Sequence, residues 1–112
     1  MGKLLYGSGG TAYEMDDRTL SHLKIAITSK LRRHESFLVS WDVPHKQGGG
    51  RVSLWMSREI PLGFTFAGSR PPVLNHVWIE CLRRNAGRTG GMQLISEREA
   101  MADSAEPVLA MA

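Results

Sequence analysis

Cysteine is almost missing from this sequence. Cys81 is the only one in 112 residues, so no internal disulfide forms, and a reducing cytoplasm is the setting that suits it. Long apolar runs are missing as well: none approaches the ~18 residues of a membrane span. The amino terminus carries Lys3 but no apolar stretch with a small-residue cleavage site, so a cytoplasmic protein without membrane contact is expected. Aromatic residues are few, at 7%, and no aromatic-rich ribonucleoprotein motif is present. The histidines His22, His34, His45 and His76 are spaced 12, 11 and 31 residues apart; metal sites use i, i+4 or two-between spacings, so no metal is expected. Ser40, Asp42 and His45 are neighbours along the chain, but a triad is defined by geometry that a strand and its loop do not supply, so no catalytic residue is assigned.

What is present is enough for one domain with one core. Apolar residues make up 42% and charged residues 22%, ordinary values for a globular protein. The charge is uneven. Residues 1–95 hold 13 Lys/Arg against 7 Asp/Glu, whereas residues 96–112 hold one Arg against four acids. The body is thus more basic than the overall net charge of +3, which favours a polyanionic partner and equally suits a domain with an acidic solvating tail.

Gly7-Ser8-Gly9-Gly10-Thr11-Ala12 spells the G-x-G-x-x-A dinucleotide fingerprint after a short apolar run. That motif must open a helix, with an acidic residue ~20 positions on for the ribose. Here Thr11 to Met15 alternates like a strand and no acid stands near position 27. The glycines are therefore expected to form a hairpin turn, and no nucleotide cofactor is expected.

Asp16 or Asp17 caps a helix running to about Arg33, with Leu20, Leu23, Ile27 and Leu31 as its apolar stripe and Arg18, His22, Ser29, Arg32 and Arg33 facing away. Alternating runs at 37–42 and 51–57, with Phe64 and Phe66 beyond Pro61, predict an antiparallel meander over 36–68. A second helix is expected over about 73–86, ended by Gly87, with Cys81 on its buried side; a short edge strand follows at 92–95. The fold expected is α+β, in the order β-β-α-β-β-β-α-β. One domain spans residues 1–95, with two helices on one face of a largely antiparallel sheet, and residues 96–112 form a flexible acidic, alanine-rich tail.

Ten of the 14 basic residues are arginine, whose planar fork grips phosphate oxygens in pairs. Arg18, Arg32 and Arg33 on the first helix and Arg51 on a strand are the candidates for phosphate contact. The sheet face away from the helices would carry Ser40, Arg51, Ser53, Trp55 and Thr65, with Trp55 as a platform for a stacked base.

The stretches MGKLLYGSGGT, DDRTLSHLKIAITSKLRRHESFLVSW and GSRPPVLNHVWIECL resemble a family of short bacterial proteins of little-characterised role, many labelled "ATP-dependent DNA ligase". The resemblance covers residues 1–95. Taken literally, the label implies an adenylated lysine in a Lys-x-Asp-Gly motif. Lys3, Lys24, Lys30 and Lys46 are followed by Leu-Leu, Ile-Ala, Leu-Arg and Gln-Gly, so no ligase residue carries over. What the resemblance leaves is an association with DNA. The expectation is a small non-enzymatic module that binds nucleic acid through Arg18, Arg32, Arg33, Arg51 and Trp55; the alternatives are a protein-interaction or homodimerisation module, and ligase-related activity as the label has it.

Overall fold

The computed structural model describes residues 1–103. Strands β1 (Gly2–Tyr6) and β2 (Thr11–Met15) form an antiparallel hairpin with Tyr6 opposite Thr11. The glycine-rich stretch is its turn. Gly10 N–H donates to the Gly7 carbonyl at 3.0 Å, and Gly7 and Gly10 sit at φ of 79° and 64°, a region side chains with a Cβ enter reluctantly.

Helix α1 (Asp17–Arg32) starts where the Asp16 carboxylate accepts from the Thr19 N–H at 2.9 Å and from the Thr19 hydroxyl at 2.7 Å. It ends in a Schellman turn: His34 N–H donates to the Leu31 carbonyl, Glu35 N–H donates to the Lys30 carbonyl, and His34 takes the left-handed conformation at φ 61°. The expected stripe is core, with Leu20, Leu23 and Ile27 fully buried, each stabilising by about 1.5–3 kcal/mol over an exposed position.

Strands β3 (Phe37–Asp42) and β4 (Arg51–Met56) pair antiparallel from Phe37↔Met56 to Asp42↔Arg51. The meander stops there. Strand β5 (Leu62–Thr65) pairs with β1, placing Leu4 opposite Phe64, and the Gly7 N–H donates to the Pro61 carbonyl at 2.9 Å. Strand β6 (Met92–Gln93) lies parallel to β3. The expected single sheet is therefore two three-stranded sheets, β2-β1-β5 and β4-β3-β6, around one core. Alternation sets which side chains face inward but leaves the partner of a short strand open.

Helix α2 (His76–Asn85) begins three residues later than expected, because the Asn75 side chain accepts from the N–H groups of Val77 and Trp78. It packs on α1 and on β6. Ser96 and Glu99 form a reciprocal capping box, with the Glu99 N–H donating to the Ser96 hydroxyl and the Glu99 carboxylate accepting from the Ser96 N–H. Residues 97–103 are helical and Ala100 is fully buried. The rest of the expected tail, 104–112, lies outside the described residues.

Candidate nucleic-acid interface

Period-two alternation in β3 and β4 sends Phe37, Val39, Leu54 and Met56 into the core and leaves Leu38, Ser40, Asp42, Arg51, Ser53 and Trp55 on the opposite face. Trp55 is 50% exposed and stands directly across from Leu38, itself 36% exposed. The Ser40 and Ser53 hydroxyls meet at 2.7 Å beside them. Arg51, on the same strand and face as Trp55, lies about 13 Å along it, four residues at ~3.3 Å each. Among the described residues Arg51 makes no ion pair. Thr65, expected on this face, belongs to β5 in the other sheet. The Tyr6 hydroxyl donates to the Trp55 carbonyl at 2.6 Å, tying the outer edge of β4 to β1 and fixing the backbone under the indole.

The end of the hairpin nearest Trp55 is basic. Arg32 and Arg33 are exposed at the end of α1, four residues before β3 begins. The Arg58 guanidinium, just beyond β4, contacts the His34 ring, with Nε2 at 3.0 Å. Two acids stand within this group: Glu35, 3.7 Å from Lys30 Nζ and 3.8 Å from Arg33 Nε, and Glu59, which lines the same hollow as His34 and Arg58. The Glu59 carboxyl is held below its ordinary range, mainly by the Ser57 hydroxyl. Arg58 reads in the sequence only as one of several arginines at strand ends and loops, and Leu38 is not among the sequence candidates, although it sits on the outward phase of β3.

Arg18 stands apart. It lies about 21 Å from Arg32 along α1, at 1.5 Å per residue, and its fork is engaged: Nε donates to Glu97 Oε1 at 2.9 Å, Nη2 to Glu97 Oε2 at 2.7 Å, and Nη1 to the Val73 carbonyl at 3.0 Å. The Arg18 guanidinium, followed by the Asn75 side-chain amide, holds the Glu97 carboxyl down to about 2. Arg18 thus fastens the 97–103 helix to the body. The five sequence candidates divide accordingly. Arg51 and Trp55 share a sheet face, Arg32 and Arg33 stand at the basic helix end, and Arg18 is joined to Glu97.

His22, expected to face away from the core, is fully buried because α2 packs on that flank of α1. Its ring stacks on Trp78 with centroids 4.5 Å apart. Among the described residues no cluster of three or more His, Cys, Asp or Glu could hold a metal, and no helix is long and apolar enough to cross a membrane.

A family model, Domain of unknown function (DUF7882), matches residues 1–97. No curated protein and no solved structure matches the chain.

Proposed function

We propose that this chain, which belongs to the DUF7882 family of domains of unknown function, is a small cytoplasmic, non-enzymatic module that associates with nucleic acid, DNA foremost. The observation that carries the reading is the open face of the β4-β3-β6 sheet. A half-exposed indole projects from it, with Arg51 along the same strand and Arg32, Arg33 and Arg58 at the near end. Base stacking on an exposed aromatic is worth about 1–3 kcal/mol and tolerates any base. Arginine contacts to phosphate add affinity without sequence information. Together they describe a binder of single-stranded or locally opened nucleic acid, with Trp55 as platform and the arginines as its electrostatic rim. Arg18, engaged by Glu97, is left out of the contact set. The resemblance to proteins labelled as ligases agrees with a DNA association, and ligation itself finds no lysine in a Lys-x-Asp-Gly motif.

Tryptophan emission tests the stacking half of this reading. Titration with a short oligothymidylate should quench the wild-type protein and leave Trp55→Phe, which retains Trp41 and Trp78, largely unquenched; equal quenching in both would remove Trp55 from the site.

A second reading rests on the apolar pair Leu38 and Trp55: the same face could dock a protein or a second copy of the chain, since aromatic side chains are enriched at interface cores. The Tyr6 hydroxyl already occupies the Trp55 carbonyl, which favours a face contact over strand addition at that edge. Sedimentation over a wide concentration range separates the two readings: self-association lost in Trp55→Ala favours the dimer, and a monomer throughout counts against it.

A further inference from the structure

The segment Phe66–Asn75 contains the Ser-Arg-Pro-Pro run, to which the nucleic-acid reading gives no role. It is pinned to α1 at both ends and stands off between them. At the near end the Asp17 carboxylate accepts from the N–H groups of Ala67 at 3.1 Å and Gly68 at 2.8 Å, and these two bonds, that from Gly68 foremost, hold the Asp17 carboxyl below its ordinary value. At the far end Arg18 donates to the Val73 carbonyl at 3.0 Å, and the Asn75 N–H donates to His22 Nε2 at 2.8 Å. All three pins come from the first two turns of α1. The residues between them, Ser69 to Pro72, border with Ser21, Lys24 and Ile25 of α1 a half-open groove of about 460 Å³, within the range of small-ligand pockets.

Its lining is divided. Ile25, Phe66, Pro71, Pro72 and Leu74 supply an apolar wall, and the two prolines make the arch stiff, so little ordering is needed on binding. Its charges balance to positive, two cations against the one carboxylate of Asp17. Asp17 is committed to the loop amides, whereas Lys24 and Arg70 both line the groove and form no ion pair among the described residues. Lys24 Nζ lies 5.6 Å from the centre of the Phe66 ring, a cation–π contact that places positive charge at the edge of the apolar wall.

We propose that this groove binds a small organic anion with a flat apolar body, its carboxylate or equivalent headgroup between Lys24 and Arg70 and its body against Phe66, Ile25 and Leu74. The site is separate from the Trp55 face, so the two assignments stand or fall independently.

The probe is 2-naphthoate, titrated into the ¹⁵N-labelled full chain, with the neutral 2-naphthalenemethanol as its uncharged counterpart. The expected result is saturable shifts at Ser21, Lys24, Phe66 and Gly68, and affinity for the alcohol lower by about tenfold, as loss of two partly exposed charge contacts implies. Lys24→Glu with Arg70→Glu, both on exposed side chains, should weaken 2-naphthoate by a similar factor, and Trp55→Ala should leave it unchanged. The proposal is overturned by an absence of saturable shifts at the groove, by equal affinity for acid and alcohol, or by shifts centred on Trp55 that vanish in Trp55→Ala.

Discussion

The Asn75 backbone N–H donates to His22 Nε2 at 2.8 Å, while His22 Nδ1 lies 2.7 Å from the Arg18 carbonyl. One nitrogen must accept and the other donate, so both contacts are satisfied by the neutral ring with its proton on Nδ1. His22 is thus a three-way joint between α1, the start of α2 and, through the same turn of helix, the Arg18–Glu97 pair. Replacing it with alanine removes a buried ring stacked on Trp78 and orphans the Asn75 N–H. The expected destabilisation is about 2–4 kcal/mol, read from urea denaturation. His45→Ala, at an exposed site in the short 3-10 helix His45–Gln47, should stay within about 0.5 kcal/mol of wild type.

Acid should loosen the 97–103 helix first. The Glu97 carboxyl is lowered from 4.5 to about 2 in the folded chain, so its stabilising contribution is complete above about 4.5 and disappears as pH falls from there towards 2. Asp17, lowered by the Gly68 and Ala67 amides, acts in the same direction. Thermal melts at stepped pH should therefore show a steeper acid decline for wild type than for Glu97→Gln. Parallel curves for the two proteins would mean that the Arg18–Glu97 pair contributes nothing to folding.

Gly91 opens β6 at φ 78°, and a Cβ there would stand 2.6 Å from the Leu38 carbonyl oxygen and 2.8 Å from Leu38 Cβ. Gly91→Ala combines a strained backbone with a clash against β3, so β6 must move away from its parallel partner. A loss of about 1–3 kcal/mol is expected, with faster amide exchange at Met92 and Gln93.

Much of this architecture is written in local chemistry. The Asp16 cap, the Leu20–Leu23–Ile27 stripe, the four-residue turn from Gly7 to Gly10 and the outward phase of Trp55 each follow from neighbours in sequence. What local pattern does not carry is pairing at a distance. Nothing near Leu62–Thr65 says that it joins β1 rather than β4, and nothing near Met92 says that it runs parallel to β3. His22 is the same lesson on a helix. Its place off the apolar stripe reads as solvent-facing until a second helix covers that flank. The 97–103 helix is a different case. Its capping box, Ser96 to Glu99, stands in plain view, but the alanine- and acid-rich composition around it points to a tail.

The rim of the proposed interface should behave as a set of exposed charges. Arg51→Glu and Arg58→Glu are each expected to weaken nucleic-acid affinity about evenly across sequences and to flatten its salt dependence, because phosphate contacts displace counterions without reading bases. Arg32→Glu with Arg33→Glu should act likewise. Arg18→Glu should lower stability, through loss of the Glu97 pair, more than it lowers affinity.

Fluorescence anisotropy of a labelled single strand and a labelled duplex, titrated with the full chain at low and then raised salt, decides whether the Trp55 face binds nucleic acid. The expected result is micromolar binding of the single strand that weakens steeply with salt and is reduced about tenfold or more in Trp55→Ala, the loss of one stacked base. No binding of either probe at low salt would contradict it and leave the Leu38–Trp55 face as a protein contact.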